Sequence, residues 1–227
     1  MRSEHWFVLV GGINGAGKST LAQSRSFLQI FGVDRDSPVE IINPDLVTQR
    51  IREQAPTSRL DEVNLRAARV CESRVRAALK ECKTSVVIET VLSTDKYKPI
   101  FRLAQRNGYR LMFIYVILPS IREALARVAH RVRHGGHAVS ARKIRKRWPR
   151  SLANAPWFWA HADHAMVVFN GPSSDTLPLL IAWKKDATVW FLEDAPGPSL
   201  IADLKAARTG HPRTNRKKRE GRPLSRR

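Results

Sequence analysis

A parallel β-sheet covered by helices on both faces is the fold this chain predicts, and three observations predict it. Short apolar runs alternate with amphipathic stretches of helical spacing along most of the 227 residues. The first run, Trp6-Phe7-Val8-Leu9-Val10, leads directly into Gly12-Ile13-Asn14-Gly15-Ala16-Gly17-Lys18-Ser19, the composition and spacing of a phosphate-binding loop between a strand and a helix. Two later runs deliver acids, Asp45 and Glu89, at their C-terminal ends, the edge where open parallel sheets bind ligands. The fold class is therefore α/β, a P-loop NTPase or kinase-like parallel sheet flanked by helices, with a basic tail expected to be disordered.

After the loop, Leu21, Ala22, Phe27, Leu28 and Phe31 have the spacing of a helix that packs on the sheet and ends at Gly32. Val39 to Ile42 reads as the second strand, and Pro44 fixes the turn that follows. Ser58 with Asp61 reads as a capping box opening a long helix whose apolar positions are Val63, Ala67, Val70, Cys71, Val75, Ala78, Leu79 and Cys82. Ser85 to Ile88 is apolar on both faces, as a central parallel strand must be, and ends in Glu89-Thr90. A helix from about Asp95 to Asn107 closes at Gly108, and Tyr109 to Leu118 makes a fourth strand. Ser120 with Glu123 caps the next helix, which Gly135-Gly136 breaks. A very basic helix starts at Ser140, and Pro149 is expected to disrupt it. Ala165 to Phe169 reads as a fifth strand, and Leu179 to Leu192 as a hairpin around Lys184 to Ala187.

Composition narrows the class. The size suits one α/β domain, placed at residues 1–204 with a lid at about 131–150, followed by a tail at 205–227. Formal net charge is +20, and the tail concentrates it, with 10 Lys or Arg against Glu220 alone. Such a segment buries almost nothing and is either a solvated tail or a weak, salt-sensitive contact with nucleic acid. No apolar stretch approaches the roughly 20 residues of a membrane span, so a cytoplasmic protein with no membrane partner is expected. Cys71 and Cys82 sit about three turns apart on one helix, out of reach of a disulfide. His130, His134, His137, His161 and His164 lack the partners of a familiar zinc spacing. No G-x-G-x-x-G can be laid over Gly11 to Gly17, which argues against a dinucleotide fold.

The loop chemistry points to a nucleoside triphosphate with Mg²⁺. Gly12, Asn14, Gly15, Ala16, Gly17, Lys18, Ser19 and Thr20 form the ATP cradle: glycines let successive N–H groups curl round the phosphates, Lys18 adds a point charge and Ser19 offers a hydroxyl to the metal. Phosphoryl transfer further needs cations over the phosphates and a carboxylate near the acceptor hydroxyl. Arg131, with Arg145 or Arg147 across the glycine hinge, suits the first need. Asp45 suits the second as the base, with a structural alternative as cap of the helix after Pro44. Glu89 either orients the acceptor or holds Mg²⁺ through water. Three functions compete: a kinase acting on a small-molecule hydroxyl, a nucleic-acid-associated NTPase or polynucleotide kinase, and a non-enzymatic ATP-responsive regulator.

The ordered motifs Gly12 to Thr20, Asn43-Pro44-Asp45, Glu89-Thr90-Val91-Leu92-Ser93, Gly108-Tyr109 and Arg127 to His137 resemble the zeta toxin family of small kinases, including relatives with a Gly-Gly-His lid. The resemblance spans about Val8 to Gly171. It implies transfer of the ATP γ-phosphate to a hydroxyl, with UDP-N-acetylglucosamine the acceptor of the toxin members and an antitoxin-like protein as a partner. It places Lys18 and Ser19 on ATP and Mg²⁺, Asp45 as catalytic base, Glu89 and Thr90 against the acceptor, and Arg131 with Arg147 as lid arginines. One departure stands out: the fifth strand ends in Phe169-Asn170-Gly171 where such relatives usually carry Asp-Asn-Ser.

Overall fold

A computed structural model describes residues 5–24, 38–136, 138–171 and 178–207. The first strand, β1 (Trp6–Gly11), is wholly buried and lies in the interior of the sheet. Its neighbours are β3 (Ser85–Thr90) on one side and β4 (Arg110–Ile117) on the other, both parallel to it. With β2 (Val39–Ile42), β5 (His164–Phe169), β6 (Leu179–Lys185) and β7 (Thr188–Phe191), the order is β2-β3-β1-β4-β5-β6-β7. The five strands β1 to β5 are parallel, and the β6–β7 hairpin extends the sheet antiparallel from β5. Parallel pairing of an interior strand demands apolar side chains on both faces, which is why these runs read as near-continuous hydrophobic sequence.

Alternation along β1 divides the core. Phe7 and Leu9 face one layer, built from α2 (Pro44–Gln54), α3 (Leu60–Glu81), α4 (Tyr97–Arg106), the C-terminal half of α6 (Ala141–His161) and α7 (Pro198–Ala206). Val8 and Val10 face the other, where α1 (Lys18–Gln23) contributes Ala22. A third cluster joins Ile13 and Ala16 of the loop to Ala124 and Val128 of α5 (Ile121–Arg133) and to Ile144 of α6. The first described turns of α1 agree with the expected helix, whereas Phe27, Leu28, Phe31 and Gly32 lie outside the described residues, as does His137.

Three expectations are corrected. The long helix α3 begins after Arg59, with no side chain capping it, so Ser58 and Asp61 form no capping box. Asp61 and Glu62 instead sit in the first turn, where a negative charge favours the helix dipole. Pro149 does not end the basic helix, which runs on through Pro149 and Pro156 to His161. An interior proline costs about 3 kcal/mol, but α6 is anchored on both sides of it: Ile144 is buried in one cluster, and Ala155, Phe158 and Trp159 in another. Finally, Lys205 belongs to α7 rather than to a structureless tail, while residues 208–227 lie outside the described residues. The Ser120 cap forms as expected, its Oγ accepting from the Glu123 amide at 3.2 Å. Cys71 is buried and Cys82 half-buried, and both are free thiols.

The far end of α6 is held by a buried cation. Lys184 on β6 is 3% exposed, and its Nζ donates to the carbonyls of Trp159, Ala160 and Ala162 at 3.0, 3.0 and 2.8 Å. Those carbonyls belong to the last turn and its exit, where a helix leaves acceptors unpaired.

Candidate functional site

The loop between β1 and α1 is shaped by backbone that side chains would obstruct. At Gly12 the φ angle is +144°, and a Cβ there would sit 2.5 Å from the Val116 carbonyl. Gly17, with φ +93°, is the N-cap of α1, and a Cβ there would come within 2.8 Å of Asn170 Nδ2. That same amide donates to the Ala16 carbonyl at 2.9 Å, while the Asn170 backbone N–H donates to Ile117 O at 2.9 Å. The end of the fifth strand therefore has a structural duty at Asn170, the one position of Phe169-Asn170-Gly171 that keeps the Asn of the resembling pattern: it moors the outer rim of the cradle to the end of the sheet.

Lys18 donates from Nζ to Ile13 O at 3.0 Å, across the mouth of the loop. Burial disfavours its charged form and brings its pKa down to about 8, against the pull of the Glu89 and Asp45 carboxylates and with the further push of Arg131 and Arg147. Three cations thus converge on one loop at the positive end of a helix.

Two strands supply the opposing acids. β3 pairs with β1 so that Glu89 stands beside Val10 and Thr90 beside Gly11, which sets the acid level with the entrance of the cradle. Glu89 is 4% exposed; its Oε2 accepts from Ser19 Oγ at 2.6 Å and its Oε1 from Asn43 Nδ2 at 2.8 Å. Asn43 is the N-cap of α2, with its Oδ1 accepting from the Asp45 and Leu46 amides at 2.9 and 3.3 Å. Asn43 therefore takes the capping role that was the alternative for Asp45, and Asp45 is left in the first turn of α2 with its side chain uncommitted to the cap.

Lys18, Asp45, Glu89 and Thr90 line a single cleft of about 510 Å³, together with Asn14, Lys96, Lys143 and Arg147. Arg147 reaches Asn14 Oδ1 from α6 at 3.3 Å, across 133 residues of sequence. The Thr90 hydroxyl accepts from the Leu92 amide at 3.0 Å and so shapes the loop that leaves β3, where Leu92 takes φ +60°. Lys96 lies at the far end, its Nζ 4.7 Å over the Tyr97 ring, and burial lowers its pKa as well.

Not every expected residue reaches the cleft. Arg131 acts on Lys18 through its charge, and its carbonyl accepts from the Gly136 amide at 2.9 Å, but it is not among the cleft-lining residues. Arg145 is exposed and also absent from the lining. Arg127, on the same helix face as Arg131, is committed elsewhere: Nε donates to Glu123 Oε1 at 2.7 Å and a guanidinium N–H donates to Gly171 O. Sequence reasoning missed the double role of Asn43 and the anchoring by Asn170. The Asn-Pro-Asp triplet carried a signal for Asn43, since Asn before Pro is a strong cap, but Asn170 has no local signal because its partner is 154 residues away.

Comparison with known proteins fits this geometry. A family model described as an AAA domain matches residues 7–151. An uncharacterized protein of Haemophilus influenzae is 29% identical over 137 residues, which cover 60% of this chain and 88% of that protein. The structure of AvrRxo1-ORF1:-ORF2 with ATP superposes with a TM-score of 0.65 at 13% identity, covering 92% of this chain and 64% of that one. This chain thus spans less than two thirds of that relative's length. The PezAT chromosomal toxin-antitoxin system of Streptococcus pneumoniae superposes with a TM-score of 0.59 at 15% identity, covering 92% and 80%. These likenesses show a shared P-loop kinase-like fold. Among the described residues no helix is long and apolar enough to cross a membrane.

Proposed function

The chain belongs to the AAA domain family, and on that premise we propose that it is an ATP-dependent phosphotransferase that moves the γ-phosphate to a hydroxyl of a small molecule. The observation that carries this reading is the cleft: Lys18 and Arg147 of the phosphate-loop region share it with Asp45 and with Glu89, which accepts from Ser19. Cations beside carboxylates in one cavity suit a polyanion held next to a proton-donating acceptor.

The roles follow from position. Backbone amides from Gly12 to Thr20 hold the phosphates, with the N-terminus of α1 behind them. Lys18, Arg147 and Arg131 offset charge on the transferring group, Arg131 from outside the cleft wall. Asp45 takes the proton of the acceptor hydroxyl as its oxygen bonds to the γ-phosphorus and the bond to the bridging oxygen breaks, leaving ADP. The pair Ser19 and Glu89, 2.6 Å apart, is a set of hard oxygens fit for Mg²⁺, with Glu89 acting directly or through water. Mg²⁺ held there would supply charge neutralisation to the bound phosphates. Thr90 serves the acceptor by fixing the loop beside it.

The acceptor proposed is UDP-N-acetylglucosamine or another sugar nucleotide, on the motif resemblance to zeta toxins and the fold likeness to PezAT. The same likeness supports an antitoxin-like partner. Residues through the end of α7 would form the kinase-like domain with a lid near 131–150, and the basic segment beyond α7 would make weak contact with nucleic acid. The test is transfer of label from [γ-³²P]ATP to a panel of acceptors, beginning with UDP-sugars. Asp45→Ala should lower transfer by about 10²- to 10⁴-fold while ATP binding survives; normal transfer by the variant would remove Asp45 as the base. A polynucleotide acceptor is the second reading, favoured by the exposed Arg142, Lys143, Arg145, Lys146 and Arg150 on a helix with no acid. Polymer-stimulated turnover with a steep salt dependence would select it.

A further inference from the structure

The helix α6 touches both halves of the cleft with one face. Ser140, Lys143 and Arg147 line the cleft at its N-terminal end, with Arg147 on Asn14 of the phosphate loop. One turn on, Ser151 is 1% exposed, and its Oγ donates to the Val91 carbonyl at 2.6 Å. It accepts in turn from the Tyr115 hydroxyl at 2.9 Å, a phenol that burial keeps neutral by raising its pKa far above the ordinary value. Asn154 Nδ2 donates to the Leu92 carbonyl at 3.0 Å. Positions 147, 151 and 154 recur at helical spacing, so a single stripe grips the nucleotide loop and the loop that leaves β3.

The loop so gripped is the acceptor wall. Val91, Leu92, Ser93 and Thr94 all line the cleft, and Leu92 holds a left-handed backbone, φ +60°, that a non-glycine residue adopts only under constraint. Two hydrogen bonds donated by α6 and one from the Leu92 amide to Thr90 Oγ1 supply that constraint.

We propose that Ser151 and Asn154 are positioning residues that tie the 91–94 acceptor loop to the phosphate loop through α6, so that a nucleotide seated against Asn14 and Arg147 also orders the acceptor wall. This rests on the nucleotide-binding reading above and adds to it a coupling between the two binding events, carried by one rigid element with contacts at both ends. Filling one side reduces the conformational freedom that the other must lose, so nucleotide and acceptor bind with positive cooperativity.

Amide hydrogen exchange of the full chain, with and without Mg²⁺ and AMP-PNP, tests the proposal without knowledge of the acceptor. In the native protein AMP-PNP should slow exchange in residues 12–19 and, with it, in residues 91–96. In Asn154→Ala and Ser151→Ala the unliganded loop should exchange about five- to tenfold faster. AMP-PNP should then protect residues 12–19 but no longer residues 91–96, and Ser151→Thr, which keeps the hydroxyl, should restore the response. Asn154 is only half-buried, so its variant keeps the test open if Ser151→Ala fails to fold. Undiminished protection of 91–96 in Asn154→Ala would overturn the coupling, as would native protein in which AMP-PNP protects residues 12–19 alone. Should AMP-PNP fail to protect residues 12–19 in the native protein, the nucleotide reading falls. The tether is still judged by the unliganded rates, and equal rates in variant and native protein overturn it.

Discussion

Raising the pH from about 7.5 to about 9.5 should weaken ATP binding about 25-fold, because Lys18 loses its proton over that range unless phosphates hold it. Burial brings Lys18 down to about 8, so its charged fraction falls from about three quarters to about 3% across the interval. The sign follows from the depressed value: the free protein is already losing the proton above pH 8, whereas triphosphate beside the ammonium raises its pKa again. Binding must then take up a proton, and affinity falls with rising pH. A lysine at the ordinary 10.5 would change affinity by less than about 1.2-fold over the same range. Calorimetric titration with MgATP at several pH values reads the affinity, and repeating it in buffers of different ionisation enthalpy counts the protons. Lys18→Arg, which stays charged throughout, should flatten the profile at whatever affinity it retains. An affinity unchanged between the two pH values would refute the account of a desolvated ammonium waiting for an anion.

Other perturbations probe the frame around the cleft. Asn170→Ala should weaken ATP binding about tenfold in a folded protein, since it releases the Ala16 carbonyl, and Gly17→Ala should weaken it more, as its Cβ meets Asn170 Nδ2 in a backbone that resists side chains; fluorescent-nucleotide titration measures both. Lys184→Met keeps the buried stem but orphans three carbonyls at the end of α6, and should cost about 2–3 kcal/mol in urea unfolding. Asn43→Asp preserves the cap of α2 yet sets a carboxylate against Glu89, so it should destabilise the protein by about 1–2 kcal/mol at neutral pH. Thermal melts should show that loss shrink as acid protonates one of the two.

The phosphate loop and the runs that became β1 to β5 were readable because their causes are local: glycine conformations, apolar runs of strand length and turn residues at fixed offsets. Asp45 and Glu89 could be placed at one edge because parallel strands all present their C-terminal ends there. Pairing partners were not readable, since a strand's neighbours are chosen across the whole chain, and Asn43 meeting Glu89 depends on β2 lying next to β3. Pro149 misled for the complementary reason: its local cost is real, but packing of Ile144 before it and Phe158 after it decides the outcome. The residues left Arg145 and Arg147 as equal candidates for the lid, and only the family resemblance singled out Arg147; its contact with Asn14 required knowing where α6 crosses.

The register between β1 and β3 has a consequence for how such a protein can diversify. Because Glu89 is levelled against Val10 by main-chain ladder bonds, the height of that acid above the phosphate cradle is indifferent to side-chain changes farther along. Ser93 and Thr94 lie beyond the ladder and beyond the two carbonyls that α6 holds, so their side chains can be rewritten to admit a different guest with that acid left at its height. The sheet acts as the fixed jig and the loops as exchangeable tooling.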